Sequence, residues 1–74
     1  MSPVSEANLS LVVNGERQRA PDGCTVEQLI TLLGLQEKRI AVAVNRDVVP
    51  RSAFPAHSLA TGDQIEILEA VGGG

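Results

Sequence analysis

Gln64-Ile65-Glu66-Ile67-Leu68-Glu69-Ala70-Val71 runs straight into Gly72-Gly73-Gly74 at the end of the 74-residue chain. Ile65 and Ile67 fall on one side of an alternating segment, with Glu66 and Leu68 on the other, the pattern of a strand with one covered face. The three glycines add no side chains to a core, and glycine loses the most freedom when ordered. One reading makes them slack at a terminus. The other makes them a probe whose terminal carboxylate must pass down a channel too narrow for side chains. Three extended residues reach at most about 10 Å, enough to enter another protein's active site.

The rest of the chain must fold around that last strand. Leu9-Ser10-Leu11-Val12-Val13 predicts a strand with Leu9, Leu11 and Val13 on one face and Val12 on the other. Asn14-Gly15 suits a two-residue type I′ hairpin turn. The return segment Glu16-Arg17-Gln18-Arg19-Ala20 is polar enough for a solvated edge, and Pro21-Asp22-Gly23 marks a further turn. Thr25 and Gln28 form a capping-box pair. Val26, Leu29, Ile30 and Leu33 then make one apolar stripe, and Gly34 stands where a C′ glycine stops a helix. The helix is expected over about Val26 to Leu33.

Arg39-Ile40-Ala41-Val42-Ala43-Val44 shows little polar alternation, which suits a central strand shielded at least in part on both faces. Asn45-Arg46-Asp47 turns the chain, and Pro50 ends a short strand at Val48-Val49. Ser52 to Ser58 reads as irregular or a single helical turn around Phe54-Pro55. Thr61-Gly62-Asp63 turns into the last strand. The order is β-β-α-β-(β)-β. A parallel pairing of the last strand with the first, mid-sheet, lets the helix serve as the crossover. The expected fold class is α+β, a mixed four- to five-stranded sheet packed on one helix. The expected divisions are a flexible leader at 1–7, a domain at 8–71 and a flexible glycine tail at 72–74.

Composition narrows the function classes. A chain of this length buries only about 60% of its unfolded surface, so one two-layer domain is its ceiling. Six basic residues against nine acidic ones give a net charge of −3, and no Lys/Arg run exceeds Lys38-Arg39. That argues against nucleic acid, which needs a basic patch. A single cysteine excludes an internal disulfide and fits a reducing compartment. Residues 1–7 have neither the basic nor the apolar region of a secretory signal. No apolar run approaches a membrane span, so the chain is expected to be cytoplasmic.

Side-chain chemistry is sparse. Cys24 precedes the helix N-cap, where a thiol can be activated, but no base lies near it in sequence; it reads as a small turn residue. With one Cys and one His, His57, no zinc set can be assembled. Glu66 and Glu69 are three apart on a strand and point to opposite faces, so they are not a paired-carboxylate site. Asp47 and Asp63 read as turn-formers. The glycine run lacks the Lys-Ser/Thr of a phosphate-binding loop. No catalytic residues and no metal are assigned. The chemistry then belongs to the Gly74 carboxylate, an anion at neutral pH able to attack the α-phosphorus of ATP. This chain holds no groups to bind Mg-ATP, so another enzyme must do so. With the helix covering the other face, Val12 and Leu68 are left as a candidate partner-docking patch.

The segments Ala43-Val44-Asn45, Val49-Pro50-Arg51, Phe54, His57, Leu59, Gly62-Asp63-Gln64-Ile65-Glu66-Ile67 and Ala70-Val71 before the glycines together resemble the ubiquitin-like β-grasp sulfur carriers. The likeness is to the branch serving thiamine thiazole biosynthesis, and it covers about residues 9–74. It implies a carrier rather than an enzyme. A ThiF-type, E1-like partner would adenylate the Gly74 carboxylate with ATP and Mg. A cysteine-derived persulfide system would convert the adenylate to a thiocarboxylate, and thiazole synthase (ThiG) would take the sulfur. Gly72 and Gly73 would be the tail that enters the partners' active sites. The third glycine, Gly72, and the leader depart from the family pattern. The small subunit of molybdopterin synthase has the same fold and tail but typically carries Phe-Pro-Pro-Val before its glycines, where this chain has Leu68-Glu69-Ala70-Val71. A protein-modifying ubiquitin-like tag and an interaction domain with inert glycines are the remaining alternatives.

Overall fold

The computed structural model describes residues 8–70. The leader at 1–7 and Gly72, Gly73 and Gly74, with Val71, lie outside the described residues. In order come β1 (Asn8–Val13), β2 (Glu16–Pro21), α1 (Val26–Leu32), β3 (Ile40–Val44), β4 (Asp47–Val49), a 3-10 helix (Arg51–Ala56) and β5 (Gln64–Glu69). The five strands form one sheet in the order β2-β1-β5-β3-β4. β5 is the middle strand, parallel to β1 and antiparallel to β3. This is the expected α+β β-grasp, with all five strands formed.

Local signals account for most of the elements. Asn14 (φ 51°) and Gly15 (φ 86°) both take the left-handed conformation of a type I′ turn, and β1 and β2 pair across it from Val13↔Glu16 to Asn8↔Pro21. The Thr25 hydroxyl accepts from the Gln28 N–H at 3.2 Å, and the Thr25 N–H donates to Gln28 Oε1 at 3.1 Å, closing the capping box. At the far end Gly34 (φ 75°) donates to the Thr31 carbonyl, and Leu35 donates to that of Ile30. These two bonds are the Schellman stop, so α1 ends at Leu32 with Leu33 as its C-cap.

The core is aliphatic and lies on one face of the sheet. Val26, Leu29 and Ile30 of α1 bury against Leu9, Leu11, Val42, Val44, Ile65 and Ile67, and Phe54 and Leu59 close one side. Leu33 and Val13 pack against this cluster half-buried. β3 departs from the sequence expectation. It is second from the edge, and only Val42 and Val44 are buried, while Ala41 is exposed and Ala43 half-buried. Its second face is uncovered; alanine is small enough to stand there at little cost, so an unbroken apolar run did not require two covered faces. The turn after β3 is also tighter than expected. Asn45 and Arg46 alone take positive φ, and Asp47 already belongs to β4.

Cys24 is 1% exposed and sits in the core. Its Sγ lies 3.4 Å from the Thr25 carbonyl. Burial pushes its thiol pKa up, the opposite of activation. A raised folded-state pKa means the native chain holds this proton where the unfolded chain releases it. The resulting stability is complete below the thiol's ordinary pKa and is lost as pH rises through the folded value. Unfolding midpoints should therefore fall as pH is raised above the ordinary thiol range, and Cys24→Ala should flatten that part of the profile. Native protein should react with a thiol reagent only as fast as it opens.

Candidate functional site: the root of the C-terminal tail

The site is the place where β5 hands over to the residues beyond Ala70. β5 is held by backbone hydrogen bonds on both edges. On one side Val12 and Val13 of β1 pair with Gln64 and Ile65, and the Asn14 N–H donates to the Ile65 carbonyl at 2.9 Å. There β1 turns away, and a side chain takes over from the backbone. Asn14 Oδ1 accepts the Ile67 N–H at 2.8 Å, and Asn14 Nδ2 donates to the Ile67 carbonyl at 3.2 Å. The carboxamide acts as one more peptide group and lengthens the parallel ladder beyond the end of β1.

On the other side β3 pairs with β5 from Val44↔Ile65 to Ile40↔Glu69. The Ala70 N–H then donates to the Arg39 carbonyl at 2.8 Å. Lys38 Nζ lies 3.5 Å from Glu69 Oε2 in an ion pair, half exposed on both sides. A surface pair of this kind contributes little to stability, but it stands at the tail's root.

The start of β5 is fixed as firmly. Asn45 Oδ1 accepts the Gln64 N–H at 3.0 Å, and Asn45 Nδ2 donates to Asp63 Oδ1 at 3.0 Å. Asp63 Oδ2 accepts the Ala60 N–H at 2.9 Å, and Gly62 (φ 95°) donates to the Ser10 carbonyl at 2.8 Å. Asp63 is thus the turn-former it was expected to be. Asp47 instead opens β4.

The face of the sheet away from α1 is where Val12 and Leu68 lie, with further apolar neighbours. Leu68 is 72% exposed and Val12 half-buried. Both border one shallow depression with Asn14, Gln64 and Glu66. On its far side Leu68 adjoins Ala41, Ala43 and Val48, and Val48 is 76% exposed. Val48 was not singled out from sequence. Val48 and Val49 face opposite sides of β4, and which of the two faces outward is set by the pairing of Val48 with Ala43. Glu66 is the charged residue within this apolar strip.

His57 contributes its main chain. Its carbonyl accepts the Val26 N–H at 2.9 Å and so satisfies an orphan donor at the start of α1. Glu66 and Glu69 make no common site. No cluster of three or more potential metal ligands occurs among the described residues. No helix among them is long and apolar enough to cross a membrane.

The model of the ThiS family matches residues 7–74. A thiazole synthase of Paramagnetospirillum magneticum is 36% identical over 66 residues, 89% of this chain. One of Magnetococcus marinus is 38% identical over a segment of the same length. The chain spans only 20% of the length of each of those synthases. The sulfur carrier protein ThiS of Escherichia coli is 29% identical over 66 residues, covering 89% of this chain and 100% of that protein. The crystal structure of a thiamine biosynthesis protein (ThiS) from Geobacter metallireducens superposes with a TM-score of 0.76 at 32% identity, covering 89% of this chain and all of that one.

Removing the side-chain rung should show its worth. Asn14→Gly keeps the left-handed turn but deletes both bonds to Ile67. A loss of about 1–3 kcal/mol is expected, because the part-buried Ile67 N–H loses its partner. Chemical denaturation read against wild type checks this; an unchanged midpoint would mean water replaces the amide at no cost.

Proposed function

This chain belongs to the ThiS family, and from that premise we propose that it is a sulfur carrier for thiamine thiazole biosynthesis whose reacting group is the α-carboxylate of Gly74. The observation that carries the proposal is the treatment of β5. It is the central strand, held on the β1 edge as far as Ile67 and on the β3 edge as far as Ala70, and its sequence continues through Val71 into Gly72-Gly73-Gly74. The sheet holds Ala70, two residues short of a sequence segment without side chains, and the described side chains supply no competing site.

The chemistry follows from an activated acyl group. The Gly74 carboxylate attacks the α-phosphorus of Mg-ATP bound by a ThiF-type, E1-like enzyme; pyrophosphate leaves and an acyl-adenylate forms. A persulfide sulfur derived from cysteine then attacks the acyl carbon and AMP departs. A thiol cleaves the remaining S–S bond, leaving a thiocarboxylate. The ATP and Mg belong to the partner; this chain is cosubstrate rather than enzyme. Thiazole synthase consumes the sulfur. Two synthases contain a segment similar to this chain within one polypeptide, which favours thiazole over molybdopterin synthesis. Tethering sets a high effective concentration of the sulfur nucleophile at the synthase site. The activating enzyme docks on the uncovered sheet face, where Leu68, Val48, Val12, Ala41 and Ala43 surround Glu66 beside the tail root.

Two measurements test this. Incubation with the activating enzyme, Mg-ATP and a persulfide donor should shift the intact mass first by an AMP less water, then by the replacement of one oxygen by sulfur. An added residue after Gly74 should abolish both shifts while the domain stays folded. A chain that never gains either mass, or one that delivers sulfur with a blocked terminus, defeats the proposal. Separately, Leu68→Asp and Val48→Asp should raise the KM for adenylation roughly tenfold or more. Stability should move by only about 0.5 kcal/mol, as expected of exposed sites. Unchanged KM values would remove this face from the interface.

A further inference from the structure

Residues between the helix stop at Gly34 and the start of β3 form an exposed link. Gln36, Glu37, Lys38 and Arg39 are all exposed, so the link has few apolar contacts of its own and belongs to the class of segments that open easily. Yet its Arg39 carbonyl holds Ala70, the last described residue of the chain, at 2.8 Å. Something must keep that carbonyl in place.

Arg51 is placed to do so. It opens the 3-10 helix, and its Nη2 donates to the Lys38 carbonyl at 3.2 Å, immediately before Arg39. Its guanidinium carbon lies 5.8 Å from the centre of the Phe54 ring, and that ring is anchored in the core at 6% exposure. The link is also tied at its helical side, where the Lys38 N–H donates to the Leu35 carbonyl at 3.0 Å. A continuous path therefore runs from the core through Phe54, Arg51, the Lys38 carbonyl and the Arg39 carbonyl to the Ala70 N–H. A planar guanidinium suits both contacts, presenting a fork of donors along its edge and a face to an aromatic ring.

We propose that Arg51 is the positioning residue for the tail: it braces the 36–39 link so that the Arg39–Ala70 bond fixes the direction in which the chain leaves the sheet. Arg51 itself touches neither nucleotide nor sulfur. Its consequence for adenylation rests on the carrier function proposed above; the brace itself does not.

The test has two arms. In Arg51→Ala, amide exchange at Ala70 should accelerate about three- to tenfold, the worth of one or two weak hydrogen bonds, while the amides of Leu11 and Ile65 exchange as in wild type. Equal acceleration at all three sites, or none at Ala70, overturns the brace. In the second arm, pyrophosphate release is followed with the ThiF-type enzyme and Mg-ATP. A misdirected tail should lower kcat by a similar factor and leave KM within about twofold, since docking is intact while attack geometry is not. A raised KM at unchanged kcat would instead make Arg51 a partner contact and overturn the positioning role. If wild type itself is not adenylated, the carrier function fails, and the exchange arm alone decides the brace.

Discussion

The middle strand of the sheet is the constraint on which the rest depends. A strand at the centre of a sheet satisfies its backbone groups on both edges, and β5 does so almost to its last residue. The last residues of a strand are where opening is easiest. Here fraying is opposed by two different devices. On the β1 side the Asn14 carboxamide stands in for a peptide group. On the β3 side the pairing extends one residue past the strand, through the Arg39 carbonyl. The hydrophobic core supports this arrangement from below, since Ile65 and Ile67 of the same strand are buried under α1.

Much of this was legible in the sequence because it is written locally. The capping box at Thr25 and Gln28, the stop at Gly34 and the turn at Asn14-Gly15 each depend on residues within a few positions of one another. The period-two alternation around Ile65 and Ile67 identified the covered face of β5 and left Leu68 outside, as found. What escaped was long-range. Asn14 read as a turn residue because its backbone conformation is a local matter, whereas its side chain bonds a residue 53 positions away. Asn45 has the same double life, as the turn after β3 and as the clasp on Gln64. Arg51 carried no local signal for its contact with Lys38. The exposure of Val48 follows from its register opposite Ala43, and pairing partners are not visible in a single strand's pattern.

The clasp made by Asn45 also explains why the motif residues at Asn45 and Gly62-Asp63 belong together. Asn45, Asp63 and the Gln64 N–H form one hydrogen-bonded unit, with Asp63 also closing the turn onto Ala60. Each of these groups is engaged in holding the backbone. They fix where β5 begins, and a strand's starting point sets where it ends. A signature of this kind describes a scaffold, which is what the proposed carrier role asks of the domain. Cys24 fits the same division: buried, protonated and packed, it serves the core.

The parallel course of β1 and β5 has a spatial consequence. Val12 lies level with Gln64, so Asn8 is four residues behind that line and Ala70 six residues ahead of it. At about 3.3 Å per residue the two points are roughly 30 Å apart along the strands. The protein therefore has a front and a back. Asn8 stands at the rear, so polypeptide grafted at that point begins at the pole away from Ala70. An affinity handle or a whole neighbouring domain grafted there could ride along as a passenger.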